Sequence, residues 1–352
     1  MQAAIPPGPE EVRSRGLPPL WALGALCFLI AAVLVGLTVG PTHISPWMIA
    51  RSAFAHLFGL RSPLSQQDDA IVWQIRAPAV ALGGLVGMML AVAGASYQGT
   101  FRNPLADPYL LGVSEGAGAG ATIVIAFFPA AAGTELLPLA AFIGGLVAVA
   151  LAYLLGNSVA RTGGAGALIL AGGTIAAFMT AIQTFLQQRQ SDTLQQVYAW
   201  ILGGLSGATW HAVLLVLPWI AISATVLIAH RRILDVLSVG EEEAGSLGVD
   251  VRRARVLIVV AATVGTSAAV AVSGLIGFVG IIVPHTIRLL VSSSYRAIVP
   301  LSLLVGAGFL ILTNVLAETV LSPETLPIGV VTAFFGAPFF AIVLRRTRWV
   351  GL

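Results

Sequence analysis

Long apolar runs, separated by short polar stretches, dominate the pattern of hydrophobic and polar positions along this chain. A helix needs about 20 apolar residues to cross a hydrocarbon core about 30 Å thick, and it satisfies its backbone hydrogen bonds internally. The pattern therefore predicts ten transmembrane helices, at Leu20–Gly40, Pro78–Thr100, Leu110–Phe128, Leu137–Ala160, Ala167–Leu186, Trp210–His230, Ala254–Ser273, Ile276–Val291, Pro300–Ala317 and Ile328–Leu344.

Two stretches between these runs have the spacing of short amphipathic helices that lie in the membrane interface. "ISPWMIARSAFAHLFGL", which begins at Ile44, places bulky apolar side chains at helical intervals: Trp47, Ile49, Phe54, Leu57 and Phe58. "SDTLQQVYAW" predicts a second such helix, with Ser191 as its N-cap.

The composition agrees with a membrane protein. Hydrophobic residues make up 57% of the 352 residues and charged residues 9%, whereas a soluble domain carries about 25% charged residues. The predicted fold class is therefore an all-α polytopic membrane protein, with about ten transmembrane helices and short interfacial helices.

The arginines predict the orientation, because cytoplasmic loops carry an excess of basic residues. With both termini in the cytoplasm, the outer side receives only four of the eighteen basic residues: Arg51, Arg61, Arg76 and Arg189. This arrangement predicts a cytoplasmic tail at residues 1–19, a single ten-helix domain at residues 20–346 and a second cytoplasmic tail at residues 347–352.

Several residue types that would support other functions are scarce. The chain has no lysine, which excludes a Walker A nucleotide site and Schiff-base chemistry, and its one cysteine excludes a thiolate metal cluster within the chain. The net charge of +3 offers no basic patch for a nucleic acid. Asp107 and Glu115 are predicted near the inner surface and Glu318 near the outer one, so no carboxylate at the membrane centre supports an ion-coupled secondary transporter.

One cytoplasmic connection, residues 231–253, has the features of a docking segment. Ser238 and Glu241 match a capping box, and Gly248 matches a glycine that ends a helix. The resulting short helix would carry Ala244 and Leu247 on its apolar side. The segment is interpreted either as a docking site for a cytoplasmic partner or as a loop on the membrane surface.

The stretch "FRNPLADPYLLGVSEGAGAGA", residues 101–121, is polar at its start and nearly free of large side chains at its end. Pro104 and Pro108 disfavour a helical backbone, which predicts a loop. The glycines and alanines that follow would leave room for a solute or for a closely packed helix.

Six longer motifs carry a resemblance to a known family. They are "WQIRAPA", "RNPLADPYLLGVSEGAG", "WILGGLSGATW", "GEEEAGSLGV", "SGLIGFVGIIVPHTIRLL" and "LPIGVVTAFFGAPFFAIVLRR", in this order. The chain resembles the permease subunits of the FecCD or BtuC-like family of bacterial ABC importers for iron-siderophore complexes, haem or vitamin B12. The resemblance covers about residues 20–346.

The resemblance implies a complex in the bacterial cytoplasmic (inner) membrane. Two permease copies, identical or homologous, would surround a translocation path, with two ATPase subunits below and a substrate-binding protein above. ATP and Mg would be bound by the ATPase, and this subunit would bind no cofactor and catalyse no reaction. The expected cargo is a ferric siderophore, with haem or cobalamin as alternatives.

The resemblance also implies roles for individual residues. It assigns a cytoplasmic gate to Asn103, Pro104 and Leu105 and a second constriction to Gly164 and Ala165. It assigns ATPase coupling to residues of the docking segment: Ser238, Glu241, Ala244, Leu247 and Gly248. It assigns binding-protein docking to Arg76 and Glu318. Arg76 holds a position at which family members contact the binding protein, whereas Glu318 and Ala79 stand where family members carry arginines.

Overall fold

The computed structural model describes residues 16–40, 42–159 and 165–348, and every regular element in these ranges is a helix. The helices are α1 Pro19–Thr38, α2 Pro46–Leu57, α3 Gln66–Thr100, α4 Val113–Phe127, α5 Leu136–Val159, α6 Ala165–Arg189, α7 Leu194–Ile201, α8 Trp210–Ala229, α9 Arg231–Val239, α10 Glu241–Ser246, α11 Val251–Ser273, α12 Val279–Leu290, α13 Tyr295–Thr319 and α14 Ile328–Arg348.

The helices confirm an all-helical polytopic membrane protein. Within the described residues, seven are long and apolar enough to cross a membrane: α1, α3, α5, α6, α8, α11 and α13. The shorter apolar helices α4, α12 and α14 lie at the other three predicted positions. With 12 residues, α12 is about 18 Å long at 1.5 Å per residue, so it cannot span the hydrocarbon core alone.

Helix α3 begins twelve positions before the predicted start at Pro78. The hydroxyl of Ser65 accepts a hydrogen bond from the backbone of Asp68 at 3.1 Å and so caps the new start. Residues Ile71–Arg76 form a π-helical stretch, and the indole N–H of Trp210 in α8 donates to the carbonyl of Trp73 at 2.8 Å. The turns of α3 that precede Pro78 therefore contact a distant part of the chain, α8.

Helix α3 lies at the centre of the molecule, because α8, α11, α12 and α13 all pack on it. Small residues permit these approaches. A Cβ at Gly87 would overlap the backbone of Gly306 in α13, and a Cβ at Gly94 would overlap the backbone of Gly280 in α12. Close backbone contact of this kind is how transmembrane helices pack in the absence of a strong hydrophobic driving force.

The helix predicted in the stretch that begins at Ile44 is present as α2, Pro46–Leu57, whereas its position at the membrane interface stays a prediction. In α2, Ile49 is buried, whereas Trp47, Phe54 and Leu57 are exposed. The helix is held to α3 by Asp69, whose carboxylate accepts hydrogen bonds from Ser52 of α2 at 2.8 Å and from Ser62 at 2.6 Å.

The second predicted short helix is also present, as α7, and its position at the interface likewise stays a prediction. The prediction of Ser191 as its N-cap is wrong. Ser191–Thr193 form a 3₁₀ turn, and α7 begins at Leu194 with Thr193 in the capping position. The hydroxyl of Thr193 donates to the carbonyl of Gln190 at 2.9 Å. The tighter first turn shifts the start of the α-helix beyond the serine.

Candidate functional site

The loop at residues 101–112 leaves α3 through a tight turn. Arg102 has a left-handed backbone with φ of 52°, a conformation that costs a residue with a Cβ about 1 kcal/mol. The N–H of Asn103 donates to the carbonyl of Gln98 at 3.1 Å, and the side-chain oxygen of Asn103 accepts from the N–H of Leu105 at 3.0 Å. Asn103 therefore shapes the first half of the loop.

The second half of the loop is fixed to the start of α12. The hydroxyl of Tyr109 donates to the carbonyl of Ile276 at 3.1 Å and accepts from the N–H of Ile276 at 3.2 Å. A Cβ at Gly280 would overlap the ring of Pro108. These contacts place the predicted gate loop directly against a short membrane helix.

Asp107 forms a local turn within the second half of the loop. Its carboxylate accepts a hydrogen bond from the N–H of Tyr109 at 2.8 Å. Burial raises the pKa of the Asp107 carboxyl to about 6, although this hydrogen bond opposes the rise. Because the carboxylate is already engaged in the turn, it acts here as a loop-forming residue.

The small residues of α4 serve helix packing, which was one of the two interpretations of this stretch. The helix starts after Gly112, whose φ is 84°. A Cβ at Gly116 would overlap the backbone of Gly144 in α5, and a Cβ at Gly120 would overlap that of Ala140. The absence of side chains therefore lets α4 and α5 lie in close contact.

The predicted second constriction is only partly covered. Gly164 lies outside the described residues, and Ala165 is the first residue of α6. Their role as a constriction stays a prediction.

In the docking segment, the predicted capping box is wrong. Ser238 lies in the last turn of α9, and its hydroxyl donates to the carbonyl of Asp235 at 2.7 Å. Gly240, with φ of 163° and ψ of 158°, takes the N-cap position of α10. Gly240 separates two short helices, and Ser238 belongs to the first of them.

The predicted helix end at Gly248 is confirmed. This residue has φ of 81°, and its N–H donates to the carbonyl of Gly245 at 2.9 Å, while the N–H of Val249 donates to Ala244 at 3.1 Å. Both hydrogen bonds match the Schellman motif, which satisfies the last carbonyls of a helix.

Ala244 and Leu247 do not share one face, contrary to the prediction. Ala244 is 0% exposed and packs into the protein, whereas Leu247 is 70% exposed. Leu247 follows the last residue of α10 at its C-cap, where the chain turns away from the helix. The segment thus exposes two large apolar side chains, Leu247 and the 66% exposed Val239, together with Glu242 and Glu243.

Glu241 faces the protein and forms an ion pair with Arg255 of α11. The Arg255 side chain is only 8% exposed and that of Glu241 40%. The pair therefore fixes α10 against α11 and orients the exposed side chains of the docking segment.

On the opposite side of the membrane, Arg76 is buried, with 7% of its surface exposed. Its guanidinium donates to the carbonyls of Leu37 at 3.1 Å, Thr38 at 3.1 Å and Thr42 at 2.5 Å, which satisfies groups at the end of α1. Glu318 of α13 is close enough to stabilise this charge and accepts a hydrogen bond from Asn314 at 2.8 Å.

The structure thus brings together the two residues that were predicted to face a binding protein. Because the arginine is held by the end of α1, a partner could reach it only after these hydrogen bonds break. A role of Arg76 and Glu318 in docking stays a prediction.

The sequence interpretation missed four polar residues that join the docking segment to the 101–112 loop: Gln98, Asp235, Arg288 and Tyr295. Gln98 and Arg288 lie in otherwise apolar helical runs, and this was the available signal, whereas Asp235 and Tyr295 have polar neighbours along the chain. Polar side chains in such positions are costly unless they have partners.

The fold is that of a polytopic membrane protein in which the docking segment lies beside the braced 101–112 loop. A profile of the FecCD transport family matches residues 28–346, and the chain belongs to this family.

Three relatives illustrate the match. The chain is 37% identical to the uncharacterized ABC transporter permease protein YvrB of Bacillus subtilis, covering 91% of each chain. It is 35% identical to the cobalamin import system permease protein BtuC of Halobacterium salinarum, covering 92% of this chain and 95% of the relative. It is 31% identical to the Fe(3+)-citrate import system permease protein YfmE of Bacillus subtilis, covering 96% and 98%.

A solved structure shares the architecture. It is an inward-facing conformation of a transporter assigned to the metal-chelate type of ABC transporters, with a TM-score of 0.82 and 27% sequence identity. The similarity covers 94% of this chain and 100% of that chain.

Proposed function

We propose that this chain forms half of the translocation path of an ATP-driven importer for a bulky metal chelate, with a ferric siderophore as the first candidate cargo. The observation that carries the proposal is the pairing of an exposed cytoplasmic docking segment with a braced loop at the same end of α3. Family membership and the similarity to the metal-chelate type transporter support it.

The proposed assembly contains two permease subunits, two cytoplasmic ATPase subunits and a substrate-binding protein. All ten apolar helices would lie in the cytoplasmic membrane, with both termini inside, as the arginine distribution indicates. ATP and Mg would be bound by the ATPase subunits. This chain would contribute the path and the docking surfaces, without a bound cofactor or a reaction of its own.

A specific observation also favours cobalamin as cargo. Besides the archaeal relative, the vitamin B12 permease BtuC of Vibrio cholerae is 35% identical over 91% of this chain. Cobalamin and ferric siderophores are both bulky metal chelates, so one path could serve either. Recognition of the cargo would then rest with the binding protein.

The experiment is a tryptophan-fluorescence titration of the binding protein encoded beside this gene, with ferric hydroxamate, ferric citrate, haemin and cyanocobalamin as probes. Micromolar or tighter binding of a ferric complex would support iron uptake. Binding of cyanocobalamin or haemin alone would retain the importer and change its cargo. Failure of the purified ATPase to associate with this chain would contradict the proposed function itself.

Replacement of Asn103 tests the gate. We expect Asn103→Ala to raise ATP hydrolysis in the absence of binding protein at least threefold, because the loop loses the acceptor for the N–H of Leu105. The lost hydrogen bond contributes about 1 kcal/mol. Asn103→Asp keeps an acceptor oxygen in that place, so its ATP hydrolysis should stay within about twofold of that of the unmodified complex. Equal basal hydrolysis in Asn103→Ala and the unmodified complex would argue against a gating loop.

A further inference from the structure

A continuous series of polar contacts joins the docking segment to the 101–112 loop. It starts at Asp235 in α9, whose carboxylate accepts hydrogen bonds from the hydroxyl of Ser294 at 2.8 Å and from the N–H of Tyr295 at 2.5 Å. Arg296 lies 3.4 Å from the same carboxylate. Because Ser294 and Tyr295 begin α13, a residue of the docking segment caps a membrane helix.

Tyr295 of α13 in turn contacts Arg288 of α12. Its side chain is buried, and its hydroxyl accepts a hydrogen bond from Arg288 at 2.9 Å. The guanidinium of Arg288 also lies over the tyrosine ring, 5.1 Å from its centroid. Hydrogen bond and cation–π contact together fix the orientation of the planar guanidinium.

Arg288 in turn contacts α3. Its guanidinium donates to the side-chain oxygen of Gln98 at 3.3 Å. Within the described residues, Arg288 has no carboxylate at ion-pair distance. Its charge is therefore stabilised by neutral groups from two other helices, and any shift of α13 relative to α3 changes its surroundings.

Gln98 ends the series at the loop. It is 1% exposed, and its amide donates to the carbonyl of Gly280 at 3.2 Å. The backbone carbonyl of Gln98 accepts from the N–H of Asn103, and Gly280 packs on Pro108. Gln98 thus contacts the loop directly through Asn103 and indirectly through Gly280.

From this geometry we propose that Arg288, with Gln98 and Tyr295, transmits the position of the docking segment to the 101–112 loop. The inference rests on the proposed function, because it takes the docking segment as the ATPase contact. Arg288 is a positioning residue in this scheme: it acts through Gln98 and touches neither ATP nor cargo.

The test needs a readout of the loop that does not depend on the cargo. Cys27, which is exposed, is first replaced by alanine, and a bimane fluorophore is attached at Leu105→Cys in the complex with the ATPase subunits. Emission is recorded with and without ATP, and ATP hydrolysis is measured on the same samples. Arg288→Gln is compared with Arg345→Gln, which removes an equal charge from an exposed arginine of α14.

We expect Arg288→Gln to reduce the ATP-dependent emission change at least fivefold while ATP hydrolysis stays within about twofold. Arg345→Gln should behave as the unmodified chain, and Arg288→Lys should restore part of the response, because an ammonium can reach only part of the guanidinium's partners. An unchanged response in Arg288→Gln, or no ATP-dependent response in a complex that hydrolyses ATP, would overturn the proposal.

Tyr295→Phe provides a second variant in case Arg288→Gln does not fold. It keeps the ring under the guanidinium and removes only the hydroxyl, so we expect at least a twofold smaller response; a full response would count against the proposal. If the unmodified chain neither binds nor activates the ATPase, the proposed function fails, which is a separate outcome from a failure of this series.

Discussion

Glu241→Arg is expected to separate this chain from its ATPase subunits, with at least a tenfold loss of co-purified ATPase. The change places two guanidinium groups together, because Glu241 pairs with Arg255, whose side chain is 8% exposed. Loss of one partner of a buried pair costs about 3–5 kcal/mol, and solvent around the half-exposed glutamate reduces this to about 2 kcal/mol. Helix α10 and the exposed Leu247 would then leave their positions.

The charge-exchanged double variant, Glu241→Arg with Arg255→Glu, serves as the control. If Glu241 acts by holding α10, the exchange should restore most of the co-purified ATPase. Continued loss in the double variant would instead indicate that the ATPase contacts Glu241 itself. Wild-type assembly in Glu241→Arg alone would contradict the assignment of the docking segment.

Gly94→Ala is expected to prevent stable packing of α12 on α3. A Cβ at Gly94 would overlap the carbonyl and Cα of Gly280, which are backbone atoms and cannot rotate away. Overpacking costs about 1–3 kcal/mol, and the upper end applies where only backbone can move. The measurement is the melting temperature and yield of monodisperse protein in detergent.

Gly84→Ala in the same helix is the matched control. The nearest atom to its new Cβ is the Cδ1 of Ile311 at 3.6 Å, an ordinary contact. Alanine favours a helix over glycine by about 1 kcal/mol, so this variant should melt at or above the unmodified temperature. A Gly94→Ala protein as stable as Gly84→Ala would show that α3 and α12 do not require this approach.

The sequence predicted most reliably those features that depend on residues close together in the chain. All ten apolar runs coincide with helices, and the end of α10 at Gly248 follows from local chemistry that a glycine makes possible. The prediction failed where distant contacts decide. The first turns of α3 contact Trp210 of α8, and the guanidinium of Arg76 is held by the end of α1.

The docking segment shows both cases within a few residues. Its location and its helix end were predicted, but Gly240 and not Ser238 takes the N-cap position, and Ala244 packs into the protein. The pairing of Glu241 with Arg255 joins positions fourteen residues apart on two helices, a relation that spacing along one helix does not encode.

The junction of Gly94, Gly280 and Pro108 also determines which part of the 101–112 loop can swing. Backbone and a proline ring meet there, so no rotamer change can take up a displacement, and packed junctions of this kind switch between states rather than deform gradually. Residues from Pro108 onward would then move together with α12 as one rigid unit. Bending is left to the few residues around Asn103, a hinge shorter than one helical turn, so a small rotation there would displace the first half of the loop relative to the second.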